Sequence, residues 1–279
     1  MKTFESKFEG NDGTSFYVQG WEPDAQPKAV VVLVHGLGEH VGRYPHVGKA
    51  FTDAGYVLAG FDLRGHGKSG GARGHFPSLD AVMQDIRQFF QFVLKRYPNL
   101  PQFLYGHSLG GLLALTYAVQ NKMELKGVMV TGAGLRSALQ EQKIKIAMAK
   151  MLGSLVPTMT IPSELSVKGL SRDQKVVDAY VNDPLVHDKT SMGFGKAGLA
   201  AIDVCFAGAR DFTYPLLIMH GTADPITYPS GSEDFARLAS EKNQDVTLKL
   251  WDGLYHEIHN EPEQAEVFKV MIAWLDKHL

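Results

Sequence analysis

Short apolar runs, each closed by a glycine- or aspartate-rich turn and followed by a helical pattern, set the rhythm of this chain. Ala29–His35 (AVVVLVH) is rich in β-branched residues, shows no alternation and ends at Gly36. That pattern predicts a parallel strand buried on both faces. Tyr56–Asp62, Gln102–His107, Gly127–Thr131, Leu216–His220 and Val246–Trp251 repeat it. The opening segment Phe4–Trp21 alternates around Asn11-Asp12-Gly13, which predicts an antiparallel hairpin. Between the runs, Leu79, Val82, Met83, Ile86, Phe89, Phe90, Val93, Leu94 and Tyr97 recur at helical spacing. Ser78 stands as the N-cap of that helix and Pro98 stops it. A last helix starts near Pro262, with Val267, Met271, Trp274 and Leu275 on one face. Strand–helix alternation of this kind predicts an α/β fold, a mostly parallel sheet flanked by helices.

The rhythm fails from about Leu135 to Arg210, where no buried strand is evident. Lys143–Leu155 reads as a helix rich in Ile, Met and Leu, broken after it at Val156-Pro157 and Ile161-Pro162. We expect residues 1–134 and 211–279 to form the core and residues 135–210 a helical cap or lid. It would sit on the carboxyl side of the sheet, where open α/β folds bind ligands.

Composition narrows the function. The chain has 279 residues, with 28 Lys+Arg against 30 Asp+Glu for a formal charge of −2. No basic field results, so nucleic acid is not an expected partner. The single cysteine, Cys205, closes no intrachain disulfide, and nothing demands an oxidising compartment. Met1–Gly13 has no apolar core of a leader, and the longest apolar runs fall far short of the roughly 18 residues a membrane span needs. The expectation is a cytoplasmic chain. A transient contact of the cap with a membrane or micelle surface stays open, as does the oligomeric state.

The candidate chemistry begins at Gly106-His107-Ser108-Leu109-Gly110, a G-x-S-x-G that follows a strand and opens the apolar helix Leu109–Val119. A serine on so sharp a turn needs neighbours with almost no side chain two residues away on either side. A serine hydroxyl is a poor nucleophile and needs a base, which needs an orienting acid. In this context the chain order is Ser, Asp or Glu, His. Leu216–His220 ends in a turn that presents Asp224, and Val246–Trp251 ends in one that presents His256. All three fall on the same edge of one sheet. His259 as base and Asp252 as acid compete with this assignment; His259 lies further from its strand end, and Asp252 fits a simple turn. Charge developing on an acyl oxygen needs donors. Backbone N–H groups of Leu109, behind the serine, and of Leu37, in His35-Gly36-Leu37-Gly38, are placed to supply them. His35 and His107 read as braces.

Other motifs fail on context. Gly65-His66-Gly67-Lys68-Ser69-Gly70 matches G-x-G-x-x-G, yet no helix follows, and its Walker-like reading puts Asp62 where glycine is required. His256-Glu257-Ile258-His259 is one residue short of a zinc H-E-x-x-H. No metal and no cofactor are expected.

These residues carry a resemblance. His35–Tyr44 (HGLGEHVGRY), Asp62–His75 (DLRGHGKSGGARGH), Tyr97–Gly111, His220–Asp224 (HGTAD) and Tyr255–Glu261 (YHEIHNE) resemble α/β-hydrolases of the monoacylglycerol lipase and lysophospholipase group, which is close to the serine aminopeptidase type. The resemblance implies Ser108 as nucleophile, Asp224 as acid, His256 as base, and Leu37 and Leu109 as oxyanion donors. It also implies that Glu39, Arg43 and His259 line the glycerol end of a pocket for a single-chain lipid ester. Glu39 and Arg43 are also spaced i,i+4 and fit a surface ion pair. The cap matches least; Met148, Met151 and Met159 fit either an acyl-chain wall or packing. Thr227 stands where mammalian members carry a cysteine. An aryl esterase, an aminopeptidase anchoring a substrate amine on Glu39, and a low-turnover receptor on the same scaffold are the rival expectations.

Overall fold

The structure, a computed structural model, describes residues 1–138 and 151–279. An eight-stranded sheet runs in the order β1-β2-β4-β3-β5-β6-β9-β10. Its first strands are β1 (Lys2–Glu9) and β2 (Ser15–Glu22), the expected hairpin, antiparallel to each other. β2 then pairs antiparallel with β4 (Tyr56–Phe61). From β4 onward through β3 (Ala29–Val34), β5 (Gln102–His107), β6 (Leu125–Thr131), β9 (Leu216–Gly221) and β10 (Val246–Trp251) every pairing is parallel. Parallel strands put all their carboxyl ends on one edge, which is why Ser108, Asp224 and His256 can meet.

Alternate residues of each central strand feed opposite cores. Val30, Val32 and Val34 of β3 pack with α2 (Leu79–Arg96) and α3 (Leu109–Gln120), whereas Ala29, Val31 and Leu33 face α1 (Pro45–Asp53) and the last helix, Gln264–Lys277. Ser78 caps α2 as expected, its hydroxyl accepting the Ala81 N–H at 3.1 Å. β10 is less buried than its run of residues predicts, because it is the last strand of the sheet and exposes Leu248.

The insertion splits into parts of different character. Residues 151–155 are helical, while residues 143–150 of the expected helix, Met148 among them, lie outside the described residues. β7 (Thr160–Pro162) and β8 (Lys189–Ser191) form a small antiparallel ribbon. Met151, Leu155, Val156, Met159 and Ile161 stand exposed there. Residues 167–188 are fastened to the body: His256 N–H donates to Gly169 O at 3.2 Å, Glu257 N–H to Leu170 O at 2.7 Å, and His187 N–H to Gly38 O at 2.9 Å. Gly38 adopts φ +74°, and a Cβ there would lie 2.4 Å from the His187 carbonyl oxygen. The helix Met192–Gly208 sinks Ala197, Ala201 and Cys205 into the core, with the Cys205 Sγ 3.1 Å from the Thr116 Oγ1 of α3. Among the described residues, Met192–Asp211 is the one helical stretch long and apolar enough to cross a membrane.

Candidate active site

Ser108 occupies the sharp turn between β5 and α3 with φ 55° and ψ −118°. A non-glycine residue held there costs about 1–3 kcal/mol, which surrounding structure must over-determine. The flanking glycines make the turn possible. A Cβ on Gly106 would lie 2.3 Å from the Gly110 carbonyl oxygen, and one on Gly110 2.0 Å from that of Val34.

The three distant residues close into one line. His256 Nε2 lies 2.8 Å from the Ser108 Oγ, and His256 Nδ1 lies 2.7 Å from the Asp224 Oδ2. All three residues are buried. Burial alone would raise the Asp224 carboxyl. The charge of His256 and hydrogen bonds from His220 and His256 reverse that and hold it well below the ordinary carboxylate range. Burial likewise works against protonated His256, but Asp224 outweighs it, with help from Glu257 and Glu39, so the imidazole is a stronger base than usual. Asp252 is exposed in its turn and His259 does not contact the serine, so neither rival assignment is assembled.

The turn after β3 approaches from the other side of Ser108. Gly36 N–H is taken by the Glu39 Oε1 at 2.7 Å. The next N–H, that of Leu37, has no acceptor among the described residues, and neither has that of Leu109 at the start of α3. His35 braces the turn, its Nδ1 2.8 Å from Gly36 O and its Nε2 accepting the Leu63 N–H at 2.9 Å. His107 sits beneath, 3.0 Å from the Thr131 Oγ1, and burial pushes its imidazole down to about 4.

Glu39 and Arg43 are not a surface pair. Arg43 Nη1 donates to the Glu39 Oε2 and the Glu257 Oε1, each at 2.7 Å, and Nη2 donates to the Glu257 Oε2 at 2.9 Å. The Arg43 side chain is only 10% exposed. Tyr44 O–H completes Glu39 and Asn260 Nδ2–H completes Glu257, both at 2.7 Å. The Arg43 guanidinium lies 4.7 Å from the ring centroid of Tyr180, in the helix Gln174–Asn182. His259 is buried between Tyr44 and His107, with ring centroids 5.3 and 4.6 Å away. Burial keeps it neutral far below its ordinary value.

The family model described as serine aminopeptidase, S33 (Hydrolase_4), matches residues 25–263. The chain belongs to this hydrolase family. It is 37% identical to a monoacylglycerol lipase of Mycolicibacterium smegmatis, covering 99% of this chain and 98% of the relative. It is 38% identical, over 96% of its length, to an uncharacterized abhydrolase domain-containing protein of Dictyostelium discoideum, of which it spans 28%. The crystal structure of a Paleococcus ferrophilus monoacylglycerol lipase superposes with a TM-score of 0.84 at 33% identity, covering 100% of both chains. The α/β fold read from the strand rhythm, and the α/β-hydrolase fold that the resemblance implied, are those of this family.

Sequence reasoning did not assign several partners of this cluster. Thr227 donates its N–H to the Asp224 Oδ1 at 3.0 Å, and its Oγ1 lies 2.9 Å from Oδ2. His220 Nε2 lies 3.0 Å from the same Oδ2. Glu257, next to His256, anchors Arg43. The available signals were His220-Gly-Thr-Ala-Asp224, an imidazole four residues before the acid, and the acidic neighbour of His256.

Proposed function

We propose that Ser108, His256 and Asp224 form the catalytic triad of a carboxylester hydrolase. The chain acts on monoacylglycerols, releasing glycerol and a fatty acid. The continuous line from Ser108 Oγ through the His256 ring to Asp224, 2.8 and 2.7 Å long at its two joints, carries the reading. Ser108 attacks the ester carbonyl as His256 Nε2 takes its proton, and Asp224 fixes the ring and stabilises the imidazolium. The free N–H groups of Leu37 and Leu109 hold the oxyanion. His256 returns the proton to the leaving glycerol oxygen, then draws a proton from water that frees the acyl group. The reading assigns no step to a metal or cofactor.

Glu39 bears against the aminopeptidase alternative, since it is buried, its charge is paired with Arg43, and Gly36 and Tyr44 already donate to it. With His259, Glu39 and Arg43 frame the glycerol end of the pocket. Residues 135–210 act as the cap. Exposed Leu155, Val156, Met159 and Ile161 support a transient contact of that cap with a lipid surface. Steady-state assays on 1-monoacylglycerols, a p-nitrophenyl ester and an aminoacyl anilide test the reading. Repeated turnover of the monoacylglycerols above the anilide is expected, and Ser108→Ala should lower it roughly a millionfold. Fast anilide cleavage with idle glycerides, or labelling of Ser108 without turnover, would reject it.

A further inference from the structure

The carboxylate of Asp224 is held by more than its partner in the triad. Its Oδ1 accepts the backbone N–H groups of Ile226 and Thr227 at 2.8 and 3.0 Å. Its Oδ2 faces His256 Nδ1 at 2.7 Å, Thr227 Oγ1 at 2.9 Å and His220 Nε2 at 3.0 Å. The Thr227 hydroxyl has one proton and two acceptors, Asp224 and, at 3.0 Å, Gly132 O. It cannot be a full donor to both.

His220 has no such choice. Its Nε2 lies between two acceptors, the Asp224 Oδ2 and the Thr227 carbonyl oxygen, each at 3.0 Å, so that nitrogen carries the proton. The other nitrogen, Nδ1, is 2.8 Å from the Ser232 Oγ. Nδ1 is the hydroxyl's one acceptor among the described bonds. His220 and Ser232 are both fully buried. Two imidazoles thus flank one carboxylate, each with a serine hydroxyl on its outer nitrogen. On one side the order is Asp224, His256, Ser108, and that serine is the nucleophile. On the other it is Asp224, His220, Ser232, and the chain ends inside the protein.

We propose that His220 is a positioning residue of the active site: its Nε2–H, directed by Ser232, holds the Asp224 Oδ2 in line with His256. The inference rests on the triad reading above. Ser232 holds the His220 ring from its outer nitrogen, as Asp224 holds that of His256. Without the Ser232 hydroxyl the two acceptors still keep the proton on Nε2, but the His220 ring loses the bond that fixes its orientation. Asp224 then keeps its backbone bonds through Oδ1 but loses a fixed direction at Oδ2.

The test compares His220→Leu, which removes the donor, with His220→Gln, whose amide nitrogen can reach the same point, and with Ser232→Ala. Each full-length variant is checked for folding, then assayed across pH on one monoacylglycerol. His220→Leu should lower kcat by about ten- to hundredfold at unchanged KM, well short of the roughly 10⁴-fold lost when a triad acid is neutralised. Its acid limb in kcat/KM should move to lower pH, because His256 loses the aligned carboxylate that strengthens it. His220→Gln should recover most of the loss, and Ser232→Ala should fall a few-fold in kcat alone. A folded His220→Leu with ordinary kcat, or His220→Gln no better than His220→Leu, overturns the proposal. Should His220→Leu not fold, Ser232→Ala decides in the same way, with ordinary kcat as the contradicting result. Ser108→Ala is the control, since turnover surviving there would strike the triad reading instead.

Discussion

Two buried clusters flank Ser108, each built on carboxylate charge, and they put that charge to opposite ends. On one side Asp224 gathers backbone, imidazole and hydroxyl donors, with no arginine bonded to it among the described residues. Its charge is directed at His256. On the other side Glu39 and Glu257 close on Arg43, and every carboxylate oxygen accepts an internal N–H or O–H. That charge is consumed within the protein, tying the turn after β3 to the loop that carries His256. Burial and ion pairing therefore do not identify a reacting group. What separates the two clusters is whether the charge points at an atom that, in the proposed mechanism, gains and loses a proton.

The widest predicted gap between them comes from Asp224→Asn. Removing the charge and disturbing the His256 tautomer should lower kcat by about 10⁴-fold, read in single-turnover as well as steady-state assays. A loss of only a few-fold would place Asp224 with the structural cluster. Arg43→Met should act the other way, chiefly on stability. It leaves two nearly buried carboxylates without their cation, which costs about 3–5 kcal/mol. Urea unfolding measures this, and adding Glu257→Gln should restore part of it. Unchanged stability would mean that Arg43 is not the strut the geometry describes.

A smaller effect separates the clusters by pH. In the proposed mechanism His256 must be neutral to accept the Ser108 proton, and Asp224 raises its basicity. Activity should therefore be full above the His256 value and fall as pH drops through it. The acid limb of kcat/KM should lie above the ordinary imidazole value. His107 and His259 are held neutral in the opposite direction and should add no further limb. A limb below the ordinary value would break the electrostatic account. The smallest expectation concerns Cys205, whose thiol burial pushes up to about 12. Alkylating reagents should leave the folded chain unlabelled and its activity unchanged, which intact-mass measurement checks.

The core strands were legible because a strand buried on both faces leaves an unbroken apolar run, as in Ala29–Val34 and Leu216–Gly221. The elbow at Ser108 was legible because its backbone tolerates glycine two residues to either side and little else. Asp224 and His256 followed from strand ends on one edge. Local pattern could not reveal cross-chain partners. Glu39 and Arg43 show the spacing of a surface pair, and only Glu257, far along the chain, makes them an interior one. His220 looked like the last residue of a strand, yet its ring reaches across the turn to the acid. Residues 167–188 show no buried strand and few long apolar runs, so their attachment through backbone bonds to His256, Glu257 and Gly38 left no hydrophobic signature.

The most direct measurement is to trap the acyl-enzyme. The chain is mixed with a slowly released single-chain ester, quenched in acid and digested, and the acylated peptide is sequenced by mass spectrometry. The account predicts one acyl group per chain on Ser108, absent in His256→Ala. An acyl group on another residue, or rapid hydrolysis in a Ser108→Ala chain, would contradict it.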